Sequence, residues 1–227
     1  MKFRSFSSAL AAGVVGSLLW VGSAAAQLIT VQVQEGAGPV QVFTNGGAGL
    51  VNFSASTASF TVGGFAAGVA TGPNAGTLGS TVLNVTSTGS AVPLFVTVTQ
   101  QGNITPGAFP AIQFTSGLTF NPTLGTQTTT LSTLYDPANG LFTGSTLASA
   151  TSSVGAFVGD VDVVANPGGA YSVSNLYVIN APIGTETRAQ YTIGLTAVAV
   201  PGPVAGAALP ALLGLAGFYF FRRRRDA

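Results

Sequence analysis

Apolar and polar residues alternate with a period of two through most of the chain. In the segment Leu28–Gln34, Ile29, Val31 and Val33 are separated by Thr and Gln. Such alternation places the apolar residues on one face of an extended strand. The same pattern predicts further strands at Val40–Thr44, Leu50–Ser54, Ser59–Val62, Thr81–Thr88, Leu94–Gln100, Ala111–Thr115, Thr126–Leu134, Val158–Val164, Tyr171–Ile179 and Ala189–Val200. Short strands separated by turn residues predict an all-β protein, with residues 27–199 forming an antiparallel β-sandwich.

Turn residues add two expectations about how these strands are connected. Asn45-Gly46 predicts a tight turn that joins the strands on either side of it into a hairpin. The segment Leu141–Gly155 follows two breaks, at Pro137 and Asn139-Gly140, and we expect it to contain a short helix or a loop.

The amino-terminal residues 1–26 have the three parts of a secretory signal peptide. Lys2 and Arg4 precede an apolar stretch from Ala9 to Gly22, and small residues follow before Gln27. Cleavage is predicted between Ala26 and Gln27, with Ala24 and Ala26 as the small residues that signal peptidase requires. An uncleaved amino-terminal anchor is the alternative.

The carboxy-terminal residues 200–227 also have three parts. The motif Val200, Pro201, Gly202 and Pro203 precedes an apolar run of 18 residues, 204–221, which ends at Arg222, Arg223, Arg224 and Arg225. A helix of this length spans about 27 Å, close to the roughly 30 Å hydrocarbon core of a bilayer. The Arg cluster predicts a single transmembrane helix with its tail in the cytoplasm and the body outside. A buried core helix is the alternative to this span.

This tail resembles the carboxy-terminal sorting signal of the PEP-CTERM family of Gram-negative bacteria. The residues that carry the resemblance are the Val-Pro-Gly-Pro motif at 200–203, the apolar run and the Arg cluster at 222–225. The family commonly has Glu where this chain has Gly202, and the tail is similar to the Val-Pro-Gly-Pro variant. The resemblance implies cleavage at the Pro motif by an exosortase-type membrane protease, after an inner-membrane-anchored intermediate. A plain stiff linker ahead of a permanent anchor is the alternative.

Tyr171–Asn180 followed by Gln190–Leu195 also resembles the hairpin that often precedes such a tail, although two ordinary core strands give the same pattern.

Composition excludes several kinds of chemistry. The 227 residues include no His and no Cys. Zinc sites, Cys nucleophiles, disulfides and His-activated serines are therefore excluded. Between residues 27 and 221 there are five acidic residues and one basic residue, a net charge of −4. Because nucleic-acid binding needs clustered Lys and Arg, we exclude that function too.

The carboxylates are the remaining candidates for chemistry. Asp160 and Asp162 lie two residues apart, on one face of a predicted strand. The pair fits three roles: charges that keep an edge strand from pairing, weak calcium ligands, or, together with Asp136, the acids of a glycosidase. We expect the first role, and therefore no catalytic residue, no metal and no cofactor.

The sequence thus predicts a non-enzymatic exported surface or extracellular-matrix protein. Its expected partners are signal peptidase, an exosortase-type protease, the membrane as a transient or permanent anchor, and exopolysaccharide or biofilm. The alternative is a carbohydrate- or calcium-binding β-sandwich module anchored to the membrane. Exposed aromatic platforms would favour that alternative, and the candidates for them are Tyr135, Tyr171, Tyr177 and Tyr191.

Overall fold

The protein is built from antiparallel strands. The computed structural model describes residues 28–46, 49–153 and 155–202, and within these ranges it has twelve strands and no helix. The strands are β1 Leu28–Glu35, β2 Gln41–Thr44, β3 Leu50–Ser56, β4 Phe60–Val69, β5 Thr77–Ser87, β6 Leu94–Asn103, β7 Ala111–Leu124, β8 Thr128–Asp136, β9 Ser145–Ser152, β10 Gly155–Ala165, β11 Tyr171–Asn180 and β12 Thr187–Val200. The prediction of an all-β antiparallel fold is confirmed. The predicted signal peptide and transmembrane helix lie outside the described residues.

The strands form two six-stranded sheets. Sheet 1 has the order β2-β1-β6-β11-β8-β9, and sheet 2 has the order β10-β7-β12-β5-β4-β3. The period-two pattern explains how they pack. In β12, for example, Tyr191, Ile193 and Leu195 are fully buried, and the residues between them, Thr192 and Gly194, are half-buried. The inner apolar faces of both sheets join in one core, which includes Val31, Val96 and Val173 of sheet 1.

The predicted hairpin at Asn45-Gly46 is wrong. The strand before this turn, β2, pairs with β1 in sheet 1, whereas β3 pairs with β4 in sheet 2. The chain therefore crosses between the sheets here. The Asn45 side-chain oxygen accepts a hydrogen bond from the Ile29 amide at 3.1 Å. Asn-Gly specifies a local reversal, but it does not specify which sheet the next strand joins.

The predicted final hairpin is wrong for the same reason. β11 lies between β6 and β8 in sheet 1, and β12 lies between β7 and β5 in sheet 2. The two strands are the ordinary core strands that gave the alternative explanation of the pattern.

In the segment Leu141–Gly155, residues 141–144 form a loop, but the part predicted as helix or loop after them is strand β9. This strand pairs with β8 along its length. Two hydroxyl pairs support it: Ser132 with Ser149 at 2.8 Å and Thr130 with Thr151 at 2.7 Å between side-chain oxygens. Small Ser, Thr and Ala side chains give little contrast between its two faces, which is why the alternation is weak there.

Consecutive strands run in opposite directions, so the connections lie alternately at two ends of the sandwich. The connections β2–β3, β4–β5, β6–β7, β8–β9 and β10–β11 share one end, which we call the terminal end, because β1 starts there at Leu28 and β12 finishes there at Val200. The other connections lie at the opposite end, which we call the distal end. The two described termini of the domain therefore leave from the same end.

Buried polar side chains link the two sheets at the terminal end. The Tyr171 hydroxyl donates to the Ala75 carbonyl oxygen, in the β4–β5 connection, and pairs with the Thr105 hydroxyl at 3.0 Å. Asn103 donates to the carbonyl oxygens of Gln100 and Tyr171 at 3.0 and 3.1 Å. Gln100 in turn donates to the Val69 carbonyl oxygen at 2.8 Å, which ties β6 to β4 across the interior.

At the distal end, a close backbone approach makes a testable prediction about Gly89. Its φ is +96°, and an added Cβ would lie 2.4 Å from the Gly184 nitrogen and 2.5 Å from the Pro182 oxygen. Because both neighbours are backbone atoms, we expect Gly89→Ala to lower the free energy of unfolding by at least about 2 kcal/mol. Urea unfolding of the purified chain measures the change.

The matched control for Gly89 is Gly46→Ala. Gly46 also has a positive φ, +58°, but an added Cβ there would meet no atom within 4 Å. Only the conformational cost of about 1 kcal/mol is expected. An equal loss of unfolding free energy in Gly89→Ala and Gly46→Ala would contradict the role of the close backbone approach at Gly89.

Candidate functional site

The outer face of sheet 2 carries nine uncharged polar side chains. We call it the neutral face; it comprises Gln113, Thr115, Thr119 and Asn121 of β7, Gln190, Thr192 and Thr196 of β12, and Asn84 and Thr86 of β5. All of these residues are exposed or half-buried. They occupy the outward positions of strands whose other positions fill the core, so the alternation that builds the sandwich also creates this face.

The strand register aligns these side chains in rows across the sheet. Thr115 lies opposite Thr196, and Thr119 lies opposite Thr192. Asn121, Gln190 and Asn84 form a third row, in which the Gln190 amide donates to the Asn84 oxygen at 3.4 Å. Each amide and hydroxyl carries both a donor and an acceptor. The face therefore offers many hydrogen-bonding groups and no charge.

Next to this face lies an ion pair, Arg188 with Glu186, whose opposite charges balance. Arg188 continues the outward positions of β12 towards the distal end, and its guanidinium contacts the Glu186 carboxylate at 2.7 Å. Both side chains are more than half exposed, at 58% and 51%. An exposed pair of this kind contributes little to stability.

The sorting motif begins where β12 ends. Val200 is the last residue of the strand and lies opposite Ala111 of β7, and the next residue, Pro201, is exposed. Gly202 lies near Pro110, since an added Cβ would be 3.5 Å from its ring atoms. The other residues predicted for targeting lie outside the described residues: Ala24, Ala26, Gln27, Pro203 and Arg222–Arg225. Within residues 28–46, 49–153 and 155–202, no helix is long and apolar enough to cross a bilayer.

Asp160 and Asp162 lie in β10, an edge strand of sheet 2. Asp162 is exposed, although it lies opposite Phe114, which is buried in the core. The backbone of Asp160 lies opposite Ser116, next to a β-bulge that follows Val158. A charge and a bulge are two of the devices that stop an edge strand from pairing with another chain. In the described ranges, no three His, Cys, Asp or Glu side chains are grouped as metal ligands.

Asp136 caps the β8–β9 connection at the terminal end. Its carboxylate accepts hydrogen bonds from the Thr143 hydroxyl at 2.5 Å and from the Ala138 and Gly140 amides at 2.8 and 3.1 Å. These bonds, led by the one from Thr143, lower the pKa of Asp136. A glycosidase needs one carboxyl group whose pKa is raised, so the shift of Asp136 is opposite to that of a general acid.

The four tyrosines proposed as binding platforms are core residues. Tyr171, Tyr177 and Tyr191 have no exposed surface, and Tyr135 is 5% exposed. Burial raises the pKa of Tyr171 to about 12 and raises the pKa of Tyr191 as well. Tyr191 stacks on Phe120 with ring centroids 5.0 Å apart. None of these rings presents a face to a ligand at the surface.

Glu35 is a residue that the sequence analysis missed. It ends β1 at the distal end, and its carboxylate accepts hydrogen bonds from the Ser59 amide at 3.0 Å and the Ser90 hydroxyl at 2.8 Å. Partial burial alone would raise the pKa of Glu35, but these bonds, with one from Thr57, outweigh burial and lower it to about 2. The carboxylate thus ties β1 of sheet 1 to the β3–β4 turn of sheet 2. No short-range signal reveals such a residue, because its partners lie 24 and 55 positions away.

Comparisons with known proteins identify no relative by sequence. No protein-family model matches the chain, and no curated protein matches it. Two solved structures are weakly similar to it. The enzymatically active domain of tailspike protein 4 from bacteriophage CBA120 is 13% identical with a TM-score of 0.31, and covers 67% of this chain and 20% of its own. This chain therefore spans about one fifth of that protein's length. TmCBM61, solved in complex with β-1,4-galactotriose, is 6% identical with a TM-score of 0.25, and covers 67% of this chain and 89% of its own. Neither likeness is close enough to bear on fold or activity.

The hydrogen bonds of Glu35 predict a pH-dependent contribution to stability. In the folded chain the carboxylate stays ionised down to about pH 2, whereas in the unfolded chain it takes up a proton near its ordinary pKa of 4.5. Its stabilisation is therefore complete above about pH 4.5 and is lost as the pH falls towards 2. Glu35→Gln should lower the free energy of unfolding at pH 7 by about 1–2 kcal/mol.

Urea unfolding at pH 7 and at pH 2.5 tests this prediction. The difference between the wild type and Glu35→Gln should shrink strongly at the lower pH. Asp162→Asn is the matched control, because it removes a charge from an exposed edge position and should change stability little. A Glu35→Gln deficit that is the same at both pH values would contradict the assignment.

Proposed function

We propose that this protein is a non-enzymatic, exported surface or extracellular-matrix protein that contacts exopolysaccharide through its neutral face. In this proposal signal peptidase removes residues 1–26, and the tail at 200–227 holds the chain in the inner membrane. An exosortase-type protease then acts at the Pro motif, and the β-sandwich reaches the cell surface or the exterior.

The chemistry of the neutral face is the observation that carries the proposal. Sugar hydroxyls are uncharged groups that both donate and accept hydrogen bonds, as Thr, Asn and Gln side chains do. Because the face has such groups on three adjacent strands, a long polymer has several positions to contact. Individual contacts of this kind are weak, and many contacts along one polymer add up through multivalency.

The course of β12 supports the role proposed for the tail. This strand lies in the middle of sheet 2 and ends at Val200, so the Pro motif follows the folded domain with no intervening linker. Pro201 has no amide hydrogen and cannot extend the pairing with β7. The exposed Pro201 therefore gives a membrane protease access at the point where the strand ends.

Carboxyl chemistry supports the non-enzymatic part of the proposal. Glu35 and Asp136 both have lowered pKa values because their oxygens accept several hydrogen bonds. A carboxyl group in that state is held ionised and does not donate a proton near neutral pH. In these two places the carboxylates hold loops together.

The alternative is a carbohydrate- or calcium-binding module anchored to the membrane. It has less support, because the four candidate aromatic platforms are buried and, within the described residues, the weak calcium candidate Asp162 belongs to no group of three or more His, Cys, Asp or Glu side chains. Saturable binding of short oligosaccharides, or a rise in the melting temperature with millimolar calcium, would favour this alternative over polymer contact.

The neutral face makes a prediction about polymer binding. Thr119→Ala combined with Gln190→Ala removes hydrogen-bonding groups from two adjacent rows of the face, and should weaken binding to the producing bacterium's exopolysaccharide about three- to tenfold. Retardation of the purified chain in native gels cast with that polymer measures the effect. Thr71→Ala combined with Asn74→Ala, at exposed positions of the terminal end, is the matched control and should migrate as the wild type does. Equal migration of both double variants would contradict the assigned face.

The tail makes a separate prediction about localisation. A reporter carrying residues 200–227 behind a signal peptide should be retained in the membrane and processed, because the apolar run and the Arg cluster anchor it. Pro201→Ala should block processing, and replacing Arg222–Arg225 with Gln should abolish retention. Fractionation and mass spectrometry of the product's carboxy terminus report both steps. Unchanged localisation and processing after deletion of the tail would contradict the sorting role.

A further inference from the structure

The two edges of sheet 2 differ in whether they are protected against pairing. At one edge, β10 carries Asp162 and a bulge. At the other edge, β3 has the sequence Leu-Val-Asn-Phe-Ser-Ala-Ser, with no charge, Pro or Gly. Its pairing with β4 is regular over all seven residues, from Leu50 opposite Ala67 to Ser56 opposite Thr61. An unprotected, regular edge strand is a template for pairing with another chain.

Hydrogen bonds show which backbone groups of β3 point outwards. At the β3–β4 turn, the Thr57 amide donates to the Phe60 carbonyl oxygen at 2.9 Å, so residue 57 faces β4. In an antiparallel pair, residues that face the partner alternate with residues that face away. The amides and carbonyls of Leu50, Asn52, Ser54 and Ser56 therefore point away from β4. The Ser56 carbonyl oxygen accepts a hydrogen bond from the Gln41 side chain of β2 at 2.7 Å, which confirms this alternation.

The outward-pointing set is self-complementary. If a second β3 runs antiparallel with Phe53 opposite Phe53, then Asn52 lies opposite Ser54 of the second copy, and Leu50 lies opposite Ser56. These are the residues whose amides and carbonyls point outwards, so each such pair exchanges two backbone hydrogen bonds. On the inner face Val51 lies opposite Ala55, which are both buried apolar residues. On the outer face the polar Asn52 thus meets the polar Ser54, and on the inner face Val51 meets the smaller Ala55.

The surroundings of β3 also suit a second copy of this chain. The neighbouring edge of sheet 1 is β2, a strand of only four residues. Val42 lies in this strand and Val40 directly precedes it, and both side chains are exposed. Behind the edge, Phe43 of β2 packs against Phe53 with ring centroids 5.8 Å apart. Neither β2 nor β3 carries a charged residue. Two identical sides of this kind meet without charge repulsion and bring apolar groups together.

We propose that β3 is a homodimerisation edge, at which two copies of this chain pair antiparallel about Phe53 and join their second sheets into one. The interface is isologous, so it closes on itself and gives a dimer rather than an open filament. The proposal is independent of the polymer contact, because the neutral face lies on β7, β12 and β5.

Substitution of Ser54 tests the proposal without breaking the monomer. Ser54 is exposed, and its amide points away from β4, so Ser54→Pro removes a hydrogen bond that only the second copy would accept. The full chain, purified in detergent, should sediment as a dimer, and Ser54→Pro should sediment as a monomer with an unchanged circular dichroism spectrum. Ser54→Thr keeps the amide and should remain dimeric.

Disulfide trapping tests the register, because the chain has no cysteine of its own. Mixing a chain that carries Asn52→Cys with a chain that carries Ser54→Cys should give a disulfide-linked heterodimer on mild oxidation. These two positions are opposite each other, with Cα atoms about 5.5 Å apart, which is within disulfide range. Asn52→Cys alone should not cross-link with itself, since its two copies would be about 9 Å apart.

Three results would overturn the proposal. The first is a wild-type chain that stays monomeric at about 100 μM. The second is a Ser54→Pro chain that dimerises as strongly as the wild type. The third is cross-linking of Asn52→Cys with itself that is as efficient as cross-linking of the mixed chains. If the apolar run at 204–221 alone held the dimer, Ser54→Pro would not weaken it, and the second result would be observed.

Discussion

Two sheets can share one core only if most of the inward-facing residues of their strands are apolar, and this constraint governs the whole molecule. The chain has no disulfide and almost no ion pairing in its described part, so the packed inner faces supply most of the stability. The same constraint releases the outward positions from packing. On β7, β12 and β5 many of these positions carry amides and hydroxyls, which make the surface there uncharged and rich in hydrogen-bonding groups.

Local sequence patterns predict the strands but not their partners. Alternation identifies the core strands, such as β11 and β12, because each has one strongly apolar face. Asn45-Gly46 marks a reversal correctly, yet the choice between continuing in the same sheet and crossing to the other depends on packing far away in the sequence. β9 is missed because Ser, Thr and Ala differ too little in polarity. Glu35 is missed because its partners are brought to it only by the completed fold.

Polar residues inside the sandwich fix how the two sheets sit on each other. Asn103, Gln100 and Tyr171 hold the terminal end, and Glu35 joins the sheets at the distal end. A purely apolar interface leaves many nearly equivalent ways for two sheets to slide, whereas hydrogen bonds have narrow requirements on distance and angle. The candidate site depends on this arrangement, because its rows of side chains lie on strands whose register is fixed by the core behind them.

The central position of β12 has a mechanical consequence. The strand is hydrogen-bonded to β7 and β5 on both sides and leads directly into Pro201, so any load on the tail passes along the strand axis. Antiparallel hydrogen bonds lie perpendicular to that axis, and a lengthwise pull strains them all together instead of opening them one after another. A pull on the carboxy terminus therefore loads the hydrogen bonds of β12 in shear.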